Sequence, residues 1–236
     1  MSNWKYIRPS HVAHLRRGSD DEKEEGAMKV AIIGSGNVGS AVARAAKRTG
    51  HEVVVADVAT DSLKTLGDTL GVETTGSNRD AVRSADAVVL AVPFGAVEGI
   101  ATDIADDVGD KIVIDVTNPL KDDFSGLATE GTSGAELVQG RLPRARVVKA
   151  FNTVLAANQD KAEIDGVQLD GFVAGDDADA KKQVSYLLEE IGYRTIDVGP
   201  LSAARYLEAM AFLNIALNAG NGWSWQTGWK LVGPTN

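Results

Sequence analysis

The chain predicts an α/β fold, doubly wound, with a mainly parallel sheet and helices on both faces, and a small C-terminal helical lobe. Two observations carry this. From Met28 onward strand-like and helix-like segments alternate. The strand-like segments are continuous apolar runs rather than alternating ones, which is what a parallel sheet covered on both faces requires.

Taken in order, KVAII (29–33) is a short β-branched run, followed by a glycine-rich turn and by VGSAVARAAKRT with small apolar residues at helical spacing. HEVVVAD (51–57) reads as the second strand, and TDSLKTLGDTL (60–70) as a helix capped by Thr60 or Asp61. DAVVLAV (86–92) is an apolar strand ended by Pro93, with FGAVEGIATDIADDV helical after it, and KIVIDV (111–116) is a strand ended by TNP. Residues 121–134, KDDFSGLATEGTSG, read as a long loop near a site. ARVVKAF (145–151) and GFVAG (171–175) continue the strands. DADAKKQVSYLLEEIG then reads as a helix, YRTIDVG as a strand, and residues 202–220 as a long helix.

The second part of the argument is IIGSGNVGS. Gly34, Gly36 and Gly39 have the G-x-G-x-x-G spacing between a strand and a helix, the context of a Rossmann dinucleotide site. The first glycine permits the tight turn, the second lets backbone approach a pyrophosphate, and the third lets helix and strand pack closely. Ser35, Asn37 and Val38 belong to the same loop, whose free N–H groups face the anion. Asp57 ends the second strand, 23 residues after Gly34. A carboxylate there accepts hydrogen bonds from the adenine-ribose hydroxyls and repels a 2′-phosphate; a turn-forming Asp is the alternative.

Composition narrows the function. The 236 residues carry a formal charge of −9 at pH 7, against a nucleic-acid or anionic-membrane binder. There is no Cys, hence no disulfide, thiolate nucleophile or thiolate metal site, and a cytoplasmic location is expected. No apolar run approaches the roughly 20 residues that span a bilayer. Residues 1–27 read as a polar N-terminal extension without a secretory h-region, and Met28, directly before the first strand, is an alternative start. The three His stand at 11, 14 and 51: two in the extension, and His51 in a turn where a surface role is expected. No metal site and no catalytic residue is assigned. Lys149 and Asn152 in VVKAFNT are the polar residues to watch, and for Lys149 at a strand end the favoured reading of the residues is a solvated or ion-paired lysine.

MKVAIIGSGNVGSAVA, VVLAVPF, IVIDVTNP, VVKAFNT, VAGDDADAKKQV and DVGPLSAARYLEAM together resemble the coenzyme F420-dependent NADP oxidoreductases, from Met28 to about residue 230. The resemblance implies a nicotinamide dinucleotide along the strand ends. Ala91, Val92, Pro93, Phe94, Asn118 and Pro119 would lie near the nicotinamide, with Lys149, Phe151, Asn152 and Thr153 toward the substrate. It also implies a deazaflavin such as coenzyme F420, or another small-molecule hydride acceptor, in a cleft closed by the C-terminal part. Members using NADP(H) commonly carry a Ser-Arg pair where this chain has Asp57 and Val58. The local chemistry therefore points to NAD(H), although Lys64 could still reach a phosphate and NADP(H) stays open.

Residues 28–152 are read as the Rossmann dinucleotide-binding domain and 153–236 as an acceptor-site and dimerisation part. Tyr206, Met210, Leu213 and Leu217 form one helical stripe while Leu207, Phe212 and Ile215 lie off it, so this helix is expected between the nucleotide domain and a second copy, giving a homodimer. Trp223, Trp225 and Trp229 read as core or dimer seam, or as a ring platform for an aromatic substrate. Two other functions compete: a reductase of a small imine or carbonyl compound, with Lys149 or Tyr206 as proton donor, and a non-catalytic dinucleotide sensor.

Overall fold

The computed structural model describes residues 27–233, so the extension read over 1–27, with His11 and His14, lies outside the described residues except for Ala27. The elements are β1 (Lys29–Ile33), α1 (Asn37–Arg48), β2 (Glu52–Ala56), α2 (Thr60–Leu70), β3 (Glu73–Thr75), α3 (Asn78–Ser84), β4 (Ala87–Leu90), α4 (Phe94–Val108), β5 (Ile112–Asp115), α5 (Gly134–Arg141) and β6 (Arg146–Lys149). They are followed by β7 (Glu163–Ile164), β8 (Val167–Gln168), β9 (Asp170–Gly175), α6 (Ala178–Ile191), β10 (Arg194–Asp197) and α7 (Ala204–Asn221).

Eight strands form one sheet in the order β10-β9-β6-β5-β4-β1-β2-β3. β1 to β6 run parallel, and β9 joins β6 antiparallel through Val148 opposite Gly175 and Lys149 opposite Ala174. The strand order reverses at β1: the chain builds outward through β2 and β3, then returns to lay β4 on its other side. Ligands of doubly wound sheets bind in the crevice beyond the strand ends at such a reversal.

The continuous apolar strands are explained by the two cores. Val30 and Ile32 of β1 pack with Val42 and Ala46 of α1 and Leu187 of α6 on one face. Ala31 and Ile33 pack with Val82, Val97, Ile104 and Val138 from α3, α4 and α5 on the other. Successive residues of β1 serve different helix layers, so its buried run Val30–Ile33 is apolar on both faces. Each large apolar side chain so buried contributes about 1.5–3 kcal/mol.

Several sequence readings change. The segment between α2 and β4 holds β3, only three residues long and half-exposed, and α3, capped by Ser77 accepting from the Asp80 N–H. α2 has Ala59 at its N-cap with no side-chain bond, so neither Thr60 nor Asp61 caps it. The loop read over 121–134 ends at Ser133, which starts α5 in a capping box with Glu136. Bidentate pairing with Arg205 lowers the Glu136 carboxyl to about 2. His51 is buried rather than at the surface: its Nε2 lies 2.9 Å from Glu190 and its Nδ1 accepts from the Met28 N–H. The part after residue 152 also supplies β9 and β10 to the eight-stranded sheet. No helix among the described residues is long and apolar enough to cross a membrane.

Candidate dinucleotide and acceptor site

The glycine loop is shaped by contacts that only glycine permits. Gly34 has φ +109°, and a Cβ there would stand 2.3 Å from the Ala91 carbonyl at the end of β4. A Cβ on Gly39 would stand 1.9 Å from the Gly34 carbonyl. These two glycines bring the ends of β1 and β4 against the first turn of α1. Gly36 is different: its φ is ordinary, it is exposed, and a Cβ on it would meet nothing within 4 Å. The space in front of it is open for a ligand. Gly36 is also the N-cap of α1 and offers no side chain to the first-turn N–H groups, and no acidic residue stands in that turn. A pyrophosphate fits such a helix end, because orphan N–H groups and the helix dipole both favour an anion.

Asp57 is tied to this loop. Its Oδ2 accepts from the Ser35 N–H at 2.6 Å and the Ser35 hydroxyl at 2.7 Å, and its Oδ1 accepts from the Ala59 N–H at 3.0 Å. Burial pushes its proton affinity up, but the bonds from Ala59 and Ser35 outweigh this and hold the carboxyl below the usual range. Val58 beside it is 86% exposed and Lys64 is exposed.

At the other strand ends, Ala91, Val92 and Phe94 are half-buried and Pro93 is exposed. Asn118 and Asn152 are joined across β5 and β6. The Asn152 amide donates to Asn118 Oδ1 at 2.9 Å, and the Asn118 amide donates to the Asn152 carbonyl at 3.2 Å. Pro119 and Thr153 are buried beside them. Thr117 Oγ1 and Asn152 Oδ1 are buried acceptors without a protein partner.

Asn152 is aimed by a strained turn. Its N–H donates to the Ala150 carbonyl at 2.8 Å across Phe151, whose φ is +62°. A bulky residue in the left-handed region costs on the order of 1–3 kcal/mol. Packing offsets it: the Phe151 ring is buried edge-to-face against Tyr193, and Gln159 donates to the Phe151 carbonyl. Phe151 is expected toward substrate; at 1% exposure its ring has no free face, and the residue its turn presents at the strand end is Asn152.

Lys149 requires the same correction. Its ammonium is fully buried and donates to Asp115 Oδ2 at 2.9 Å, Glu208 Oε1 at 2.9 Å and the Thr117 carbonyl. It is the ion-paired alternative, not the substrate contact. Glu208 also accepts from the Gly134 and Ala135 N–H groups at the start of α5. Burial pushes its carboxyl up, against the pull of Lys149. Sequence reasoning missed Asp115 and Glu208, because nothing local marks residues that meet across 34 and 59 positions.

A cavity of about 1090 Å³ opens beside the first turn of α1. Val38 and Ala41 of α1, Leu155–Ala157, and Phe212 and Ile215 of α7 line it, with Phe124 and Trp225. Its wall is mostly apolar, and among the described residues none that lines it is Asp, Glu, His, Lys, Tyr or Cys. The tryptophans divide: Trp229 packs against the cluster of Phe172, Ala203 and Leu207, Trp225 lines the cavity, and Trp223 is exposed. Among the described residues no group of His, Cys, Asp and Glu could hold a metal ion.

Residues 29–119 match the family described as NADP oxidoreductase, coenzyme F420-dependent. The F420-dependent NADP reductase of Methanothermobacter thermautotrophicus is 34% identical over 212 residues, covering 82% of this chain and 90% of the relative. That of Methanocaldococcus jannaschii is 32% identical over 213 residues, covering 81% and 92%. Among solved structures, an Arthrobacter sp. FB24 protein assigned as an F420-dependent NADP reductase superposes with a TM-score of 0.80 at 27% identity, over 87% of this chain and all of that one. The chain belongs to this family and is an NAD(P)-dependent oxidoreductase.

Two variants separate binding from folding at the glycine loop. Gly36→Val keeps the melting temperature and weakens dinucleotide binding at least tenfold, about 1.4 kcal/mol; Gly39→Val lowers the melting temperature, because its side chain meets the Gly34 carbonyl. Thermal melts with dinucleotide titration read both. Lys149→Met strands two buried carboxylates and is expected to cost about 3–5 kcal/mol in urea unfolding, part of it recovered by adding Glu208→Gln.

Proposed function

We propose that this enzyme moves a hydride between a nicotinamide dinucleotide held by Gly34–Gly39 and Asp57 and a deazaflavin or similar ring acceptor in the neighbouring cavity. The observation that carries this reading is the mostly apolar lining of that cavity, whose single ionisable side chain among the described residues is the Arg44 guanidinium, always charged and unsuited to giving up a proton. Reduction of an imine or carbonyl needs a proton donor at the reacting atom. The two candidates are elsewhere: Lys149 is sealed in its ion cluster, and Tyr206, 74% exposed, does not line the cavity. Transfer between two rings needs chiefly position and exclusion of water. When bound, the dinucleotide would supply the hydride; the negative charge delivered would spread over the acceptor's conjugated ring, so the accompanying proton could be taken from bulk water after release rather than from a side chain in the closed cavity. The chain's part is to hold the phosphates at α1, to fix Asn118 and Asn152 at the strand ends, and to enclose the acceptor in apolar walls.

Within this reading the preferred dinucleotide is NAD(H). The relatives' names specify NADP and lend this no support; it rests on Asp57, whose lowered proton affinity keeps it ionised at neutral pH, and on Val58 in place of a cation. A 2′-phosphate would meet a fixed negative charge.

The oligomer proposed is a homodimer through α7. Its buried side presents Leu207 and Ala211 to the body, while Tyr206, Leu213 and Leu217 leave an uncovered apolar stripe on the other. A second copy covers both stripes at once by two-fold symmetry.

Oxidised deazaflavin mixed with enzyme and NADH should lose its visible absorbance. NADH should exceed NADPH in kcat/KM by about tenfold or more, and Asp57→Ser with Val58→Arg should move the ratio toward NADPH. No turnover with either dinucleotide sinks the acceptor reading, and a native preference for NADPH sinks the weight placed on Asp57. Light scattering tests the dimer: the native chain at micromolar concentration should have twice the chain mass, and Leu213→Glu with Leu217→Glu should be monomeric. A monomeric native protein overturns that arrangement.

A further inference from the structure

Two bulky aromatic residues of the cavity lining stand on left-handed backbone: Phe124 at φ +56° and Trp225 at φ +60°. Such residues rarely adopt this conformation, and strain of this kind concentrates where a ligand is held. Neither ring is hidden in return, with Phe124 64% and Trp225 46% exposed. Neither is stacked on another ring, since Phe151 with Tyr193 is the ring pair found among the described residues.

Both are nevertheless held firmly by their neighbours. Phe124 is at the tip of a small closed loop, pinned by the Lys121 N–H donating to the Gly126 carbonyl and the Ala128 N–H donating to the Pro119 carbonyl. The Phe124 N–H itself donates to the Lys121 carbonyl. Trp225 lies between two anchors. Before it, the Trp223 N–H caps α7 at the Asn218 carbonyl. After it, Thr227 is bonded to the buried Asn214 and Asn218 side chains. Loop and tail are thus stiffened by polar bonds while their aromatic faces are left bare in one cavity.

We propose that Phe124 and Trp225 form an aromatic clamp for the planar ring of the hydride acceptor, and that Arg44 takes an anionic substituent of it. Arg44 is the one charged residue in the cavity lining among the described residues, and Asp160 fixes its guanidinium through Nε at 2.9 Å. Planar ligands gain from stacking on aromatic faces regardless of ring substituents, and held rings lose little entropy on binding. The proposal rests on the ring-acceptor reading above, but its test does not depend on turnover.

The probes are 5-deazariboflavin and its 5′-phosphate, which share a ring and differ in charge. Binding to the full chain is followed by equilibrium dialysis, read by the ring's own absorbance, with oxidised dinucleotide saturating. Phe124→Leu and Trp225→Leu should each weaken both probes about tenfold or more, the scale of one lost stack, with dinucleotide affinity unchanged. Trp225→Tyr should restore binding, which a folding defect would not. Arg44→Gln should remove the advantage of the phosphate form. Native-like ring affinity in both Leu variants, or no ring binding by the native chain, overturns the clamp. If the probes bind in a Trp225-dependent way but are not reduced, the clamp stands and the hydride-transfer reading fails. If they are reduced at native rates by both Leu variants, the reverse holds.

Discussion

The arrangement of the site depends on one buried cation. Lys149 has no exposed surface, and an ammonium in that position is tolerable only if charge and hydrogen bonds surround it. Asp115 comes from the neighbouring strand and is brought opposite by the β5–β6 register. Glu208 comes from α7, which must therefore lie across the ends of those strands. Two carboxylates for one ammonium leave a negative excess, and the Gly134 and Ala135 N–H groups at the start of α5 take it up. One charge thus fixes β5, β6, α5 and α7 together. Because α7 is held there, Phe212 and Ile215 further along it face the first turn of α1 across the apolar cavity.

The nucleotide end is governed by a different constraint, the distance of closest approach between backbones. Gly34 and Gly39 approach the Ala91 backbone and each other so closely that neither could carry a Cβ, and this sets the first turn of α1 at the strand-order reversal. Ser35, turned inward by that loop, donates to Asp57. The phosphate loop and the proposed ribose acceptor are therefore one hydrogen-bonded unit rather than two neighbouring features.

What was legible in the sequence follows from how local its cause is. The strands of the parallel sheet could be read because both faces are covered, so their apolar runs are unbroken. The glycine spacing could be read because the close approach involves residues only five apart. β3 and α3 were not legible, being a three-residue half-exposed strand and a two-turn helix without a long apolar pattern. The partners of Lys149 were illegible for another reason: VVKAFNT looks the same whether its lysine faces solvent or a carboxylate 59 residues away. Phe151 was misread because a motif shows that a residue belongs to a site without showing that it works from beneath it. Phe124 drew no notice inside a polar loop, since only its backbone angle and its bare ring mark it.

The two halves of the site also answer to charge differently. On the proposed dinucleotide side, the group to which we assign the choice between NAD(H) and NADP(H) is the Asp57 carboxylate, held ionised near neutrality. Hydrogen bonds from Ser35 and Ala59 hold its proton affinity below the ordinary value, so any stability they confer is present above the ordinary carboxylate range and lost only as pH falls below it. A 2′-phosphate arriving there gains nothing from protonating Asp57 at physiological pH, and Val58 beside it supplies no compensating cation. On the proposed acceptor side, the cavity lining among the described residues includes no Asp, Glu, His, Lys, Tyr or Cys, and its charged member is Arg44. The proposed chemistry is consistent with this. A hydride passed between rings needs fixed charges to choose its partners and apolar walls to keep water out, and neither requirement calls for a side chain that changes its protonation during the reaction.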